Sequence, residues 1–204
     1  MIYVVLFIFA LISVSIATIS KSNSDNKKLT DSKSDQNKWI VENNLNPTVD
    51  FSYNNLLDRS NVRFMVDEKS RNIIVSEGHI IDNEAVTSKP VLISFDNILG
   101  CEIREDSAVT GGVGRALVGG ALAGDAGAIV GVLTAKKQIH SFEIAFLTNN
   151  IQKPQFVITL IGSFGSKGCP KNGLIYTNAV DFSNRVVATI KAIIAQKENM
   201  KVVR

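Results

Sequence analysis

Residues 91–103 read VLISFDNILGCEI, two apolar runs, Val91–Phe95 and Ile98–Ile103, on either side of Asp96-Asn97. β-branched and aromatic residues favour strands, and Asp-Asn favours a turn, so this stretch predicts two strands joined tightly. In the second run Cys101 and Ile103 alternate with Glu102 and Arg104, the period of a strand with one buried face. Toward the N-terminus, Val62–Val66 and Asn72–Val75 flank the polar Asp67–Arg71, the pattern of a hairpin. Toward the C-terminus, His140–Leu147 places Phe142, Ile144 and Phe146 on one face. Thr148–Pro154 then turns the chain, Gln155–Ile161 returns it, a Gly/Ser/Lys-rich loop spans Gly162–Gly173, and Leu174–Tyr176 reads as a short last strand. Asn178, with Asp181 three residues on, predicts a helix start, and Phe182, Val186, Val187, Ile190, Ile193 and Ile194 recur at helical spacing. Strands followed by one amphipathic helix predict an α+β domain: an antiparallel sheet or small barrel capped by its C-terminal helix.

The N-terminal sequence predicts an anchor. Ile2–Ile19 is uncharged and almost wholly apolar, and as a helix it would span about 27 Å, close to the hydrocarbon thickness. No basic residue precedes it, Ser15-Ile16-Ala17 is a poor cleavage site, and Lys21, Lys27, Lys28, Lys33 and Lys38 follow it. These features favour an uncleaved transmembrane helix over residues 1–20 with the rest of the chain facing the cytoplasm. The alternative is a cleaved signal peptide and an extracytoplasmic protein whose domain binds an envelope component. Residues 21–38 are polar and mixed in charge and read as a flexible linker. From Trp39 apolar residues return (Ile40, Val41, Leu45, Val49, Phe51), so the domain is expected over 39–204.

That domain is interrupted by residues 111–135, GGVGRALVGGALAGDAGAIVGVLTA. Small residues recur every fourth position along two lines. One is Gly112, Ala116, Gly120, Gly124 and Ala128; the other is Gly119, Ala123, Gly127, Gly131 and Ala135. This spacing lets helix backbones approach closely, and the Leu, Val and Ile residues between the lines form a greasy face. Strands on both sides of the segment belong to one domain, so a single membrane crossing is excluded. Gly124–Gly127 is the natural turn of a helical hairpin, whose arms of roughly 15 Å are too short to span a bilayer. The hairpin either re-enters the membrane or packs helix against helix on the domain's own surface, or the stretch is a mobile glycine-rich loop; in the first two readings the zipper serves membrane insertion or self-association.

Composition narrows the function. A net charge of +3, with 22 basic and 19 acidic residues dispersed along 204, gives no nucleic-acid footprint. Two cysteines, Cys101 and Cys169, and two histidines, His79 and His140, supply neither a disulfide framework nor a zinc set, though a single Cys101–Cys169 bridge stays open. Gly112-Val-Gly-Arg-Ala-Leu117 has leucine where a dinucleotide fingerprint needs its third glycine, and Gly162–Gly168 lacks the Gly-Lys-Ser/Thr of a phosphate loop. A nucleophile elbow of the Gly-x-Ser-x-Gly type is missing too. Neither catalysis nor a cofactor is expected.

The order of strands and closing helix, with the phrase at 91–103, resembles bacterial pleckstrin-homology-like (PH-like) domains. More closely it is similar to bacterial and prophage proteins in which such a domain is interrupted by a glycine zipper. The resemblance implies an antiparallel PH-like sheet or barrel and a binding module rather than an enzyme. It also draws attention to Arg63, Lys69 and Arg71 around the first hairpin, where some PH domains hold a phosphorylated headgroup; Asp67 and Glu68 among them would oppose an anion. The partners expected are a membrane, through the N-terminal helix, and a second copy, through the zipper, alongside a protein or lipid ligand.

Overall fold

The two strands that Asp96-Asn97 separates form, but they do not pair with each other; at this turn the chain passes from one sheet to another. The computed structural model describes residues 24, 27–28, 32–55, 59–81, 84–106, 108–114, 138–162 and 168–202. A helix, α1, covers residues 32–42. The strands are β1 (Val49–Asn55), β2 (Ser60–Asp67), β3 (Asn72–Ile81), β4 (Glu84–Thr87), β5 (Val91–Ser94), β6 (Ile98–Glu105), β7 (Ala108–Gly114), β8 (Gln138–Ile139), β9 (Phe142–Thr148), β10 (Gln155–Ile161) and β11 (Cys169–Pro170). A long helix, α2 (Leu174–Val202), follows them.

Sheet one has the order β1-β2-β3-β4, with β5 also on β3; sheet two has the order β10-β9-β6-β7; β8 and β11 pair separately. Every pairing is antiparallel. β4 lies against Gly78–Ile81 and β5 against Asn72–Val75 of β3. Between β4 and β5 stands Ser88-Lys89-Pro90, where proline has no N–H to give a ladder.

The two sheets face each other across one core. Phe51 stacks on Phe64 (centroids 6.1 Å apart), Phe64 on Phe146 (6.0 Å) and Phe146 on Phe156 (6.2 Å), a ring ladder that runs from sheet one into sheet two. Arg185 lies over Phe51 at one end and Lys153 over Phe156 at the other, which covers the outer ring faces with cations. From α2, Ala179, Phe182, Val186, Val187, Ile190 and Ile193 join the same core. The architecture is therefore α+β, with antiparallel sheets closed by a C-terminal helix, consistent with a PH-like fold.

The structure departs from the sequence reading elsewhere too: Cys169–Pro170, expected within a loop, pair with β8 as β11. Leu174–Tyr176 opens α2 instead of forming a strand, so the helix starts four residues before Asn178; Tyr176 packs edge-on against Phe142 and donates to Glu105, tying the first turn to sheet two. Residues 32–38, expected in the linker, are helical and packed: Ser32 and Gln36 are fully buried, and Ile40 joins Met65 and Ile74, flanked by Trp39 and Leu45. Gly111 and Gly112, expected to begin the zipper helices, are ladder residues of β7, opposite Ile103 and Glu102. The expected anchor over 1–20 and the zipper from Ala116 to Ala135 lie outside the described residues. Among the described residues no helix is long and apolar enough to cross a membrane.

Candidate binding surfaces

β2 is buried along its whole length because both its faces are covered. Val62, Phe64 and Val66 point into the main core, while Asn61, Arg63 and Met65 lie on the side that α1 covers. The basic residues singled out in the sequence divide accordingly. Arg63 is 7% exposed; its Nε and Nη2 donate to the two carboxylate oxygens of Asp50 at 2.9 and 2.6 Å, and Nη1 donates to Asn37 Oδ1 of α1 at 2.6 Å. The hydrogen bond from Arg63 holds the Asp50 carboxyl below its ordinary pKa against a partial desolvation cost, with the charges of Arg63 and Lys33 adding to the effect. Arg63 is thus a clamp for β1, β2 and α1.

Lys69 and Arg71 stay together on the β2–β3 turn, away from that clamp. Lys69 is exposed. Arg71 adopts a left-handed φ of 55°, its guanidinium lies 5.3 Å from the centre of Phe95, and it reaches Asp96 Oδ1 at 3.3 Å. Asp67 organises this turn: one oxygen accepts from Ser70 N at 3.0 Å and the other from Asn46 N at 2.9 Å. Burial pushes the Asp67 carboxyl up, but the backbone donors of Asn46, Ser70 and Lys69 outweigh it and hold its pKa below the ordinary value. The structure therefore brings together two of the three basic residues, beside three acids, Asp67, Glu68 and Asp96.

Of the zipper residues, Gly112 is a β7 residue; Ala116, Gly119, Gly120, Ala123, Gly124, Gly127, Ala128, Gly131 and Ala135 lie outside the described residues. Their platform is described on both sides: β7 ends at Gly114 and the chain resumes at Gln138.

A polar cluster that the sequence did not suggest lies at the other end of β6. Glu105, 6% exposed, accepts Lys171 Nζ at Oε2 and, at 2.7 Å, Tyr176 Oη at Oε1. Burial and the bond to Glu105 push the Tyr176 hydroxyl pKa far up. Next to it Asp106, at φ 48°, accepts from His140 N at 2.6 Å and Ser141 N at 3.1 Å through Oδ1, fastening the start of β9. These groups join β6, β9, β11 and α2 by mutual satisfaction. The chain separation of Glu105 from Lys171 and Tyr176 hides such a cluster from any local motif. Cys101 and Cys169 are both buried and form no disulfide bridge. On β3, burial raises the Glu77 pKa against the influence of His79. Among the described residues no three His, Cys, Asp or Glu side chains group as metal ligands.

In comparison with known proteins, a family model described as a glycine zipper containing PH domain matches residues 50–162, more than half of the chain. No curated protein and no solved structure matches.

Proposed function

From the premise that this chain belongs to the family of glycine zipper-containing PH domains, we propose that it is a non-enzymatic, membrane-tethered assembly module whose zipper brings copies of the chain together. The observation that carries this reading is the position of the zipper. It is inserted between β7 and β9, two strands of a sheet whose core side is already filled, so the scaffold holds the segment from both ends. The apolar run at 2–19 would tether the module, with the domain on the cytoplasmic side, and the segment's small residues would let helices of two copies meet backbone to backbone.

Leucine at Gly120 or Gly124 puts a branched side chain where close approach needs none. For the full chain in detergent, sedimentation equilibrium is expected to give an oligomer for wild type and a monomer for Gly120→Leu and Gly124→Leu. An unchanged mass in both variants would remove the zipper from self-association.

A further inference from the structure

The contacts of α1 advance along β2 in step with the chain. At its start Ser32 bonds Thr87 at 2.8 Å and lies over Gly78, which faces Thr87 on β4 and Asn61 on β2. Gln36 then donates to Asn61 at 3.4 Å, Asn37 accepts from Arg63 at 2.6 Å, and Ile40 packs on Met65 and Ile74. Just beyond the helix, Asn46 N donates to Asp67 at 2.9 Å. α1 therefore runs in the same direction as β2. The chain arrives at sheet one at the end where Ser60 faces His79 and leaves α1 near the end where Asp67 faces Asn72, about 23 Å away at the strand rise.

The far end is built from several turns. Phe95 N donates to Arg71 O at 2.9 Å and Asn149 N to Asn97 O at 3.0 Å, and Lys197 of α2 reaches Asp96 O at 2.7 Å. The β2–β3 turn, the Asp96-Asn97 link, the β9–β10 turn and the last part of α2 thus meet there. Lys69 is exposed at this end, and Ile151, on the β9–β10 turn, is 95% exposed. Basic side chains beside a bare apolar tip have the chemistry of a lipid contact. The apolar run 2–19, however, precedes α1, so it joins the domain at the opposite end. Between that run and α1 the described residues, 24, 27 and 28, are helical, and a helix covers only about 1.5 Å per residue.

We infer that α1 sets the orientation of the domain on its membrane: the end where β3 pairs with β4 faces the anchoring bilayer, and the end that carries Lys69, Arg71 and Ile151 faces away from it. The inference rests on the tether proposed above and adds a direction to it. α1 can impose that direction because it is fastened at several points, through Thr87 of β4, Asn61 and Arg63 of β2, and Asp50 of β1 by way of Arg63. Turning the far end to the bilayer would require the chain to double back past the length of β2 or α1 to leave its seat. The basic turn singled out by resemblance is then open to partners away from the bilayer that holds the anchor.

Energy transfer to headgroup-labelled acceptor lipids tests the orientation, with the full chain in vesicles of phosphatidylcholine and phosphatidylglycerol. The chain carries one maleimide-linked dye, at Glu84→Cys or at Lys69→Cys; both positions are exposed, and the two native cysteines are buried. The sites lie at opposite ends of β3, whose ten residues cover about 30 Å. Flotation of the chain with the vesicles establishes the tether first. The Lys69→Cys dye is expected to lie about 20 Å or more farther from the lipid surface than the Glu84→Cys dye, and the difference should shrink when Gly78→Val releases α1. A Lys69→Cys dye as close to the lipid as the Glu84→Cys dye, or closer, would overturn the orientation and leave the tether standing. A difference that persists after Trp39 emission reports release of α1 would overturn α1 as its cause. A chain that does not float would remove the tether, and the orientation with it.

Discussion

Phe146→Ala is expected to lower the stability of the domain by about 3–5 kcal/mol, the range for removing a buried aromatic ring without collapse of the space it leaves. Phe146 is fully buried and is the rung that joins the sheets, stacked on Phe64 at an interplanar angle of 8° and on Phe156 at 29°. Its loss removes apolar burial and two ring contacts together and separates β2 from β10 across the core. Against a total of about 5–15 kcal/mol for an ordinary domain, a loss of this size leaves a marginal fold. Urea denaturation followed by far-ultraviolet circular dichroism measures it. A loss below about 1 kcal/mol would mean that the ladder does not hold the sheets together.

Gly78→Val is expected to unseat α1 while leaving the two sheets folded. A Cβ at Gly78 would lie 2.3 Å from Ser32 Oγ and 3.3 Å from Ser32 Cβ, so the Ser32 hydroxyl must rotate away from its 2.8 Å bond with Thr87, and the two γ-methyls of valine, added to a contact already tight at Ser32 Cβ, press the helix outward. Valine suits a strand intrinsically, which leaves the steric conflict to decide the sign. α1 has little to resist with: among the described residues its apolar cluster is Ile40 and Trp39, with Leu45 just beyond the helix, against Met65 and Ile74, and Gln36 Oε1 and Ser76 Oγ are buried there without hydrogen-bond partners. Overpacking of this kind costs about 1–3 kcal/mol. Trp39 is the single tryptophan of the chain, so its emission should shift to the red, and amides of residues 32–42 should exchange faster while those of β2 and β9 keep their protection. Unchanged emission and exchange would show that α1 does not depend on this close approach.

These two substitutions also mark what sequence can and cannot reveal. The ring ladder is legible, because Phe142, Ile144 and Phe146 alternate cleanly and a half-buried strand writes its inner face at period two. α1 is not. Its buried face is Ser32, Gln36 and Ile40, at helical spacing but with two polar members, so a reading based on hydropathy finds a solvated linker. The clue lies on the partner strand, where Arg63-Phe64-Met65-Val66 puts Met65 on a face that alternation would leave to water; such a strand needs a cover on both sides. Arg63 reads as a free cation because its partner Asp50 sits on β1 and is brought alongside only by the β1–β2 register. The glycines of β7 mislead for a related reason. Small residues at every fourth position satisfy a helix face, but a residue without a side chain states no period, and Gly112 and Gly114 fit a ladder equally well.

The most direct measurement is carbonate-washed fractionation of two chains expressed in cells: the full sequence, and one that lacks residues 2–23 but keeps α1 and the zipper. With the N-terminal run as the tether and the zipper joining copies of the chain, the full chain should stay in the membrane pellet and the shortened chain should leave it. Retention of the shortened chain in the pellet would make the glycine segment a membrane element in its own right and contradict tethering through the N-terminal run alone.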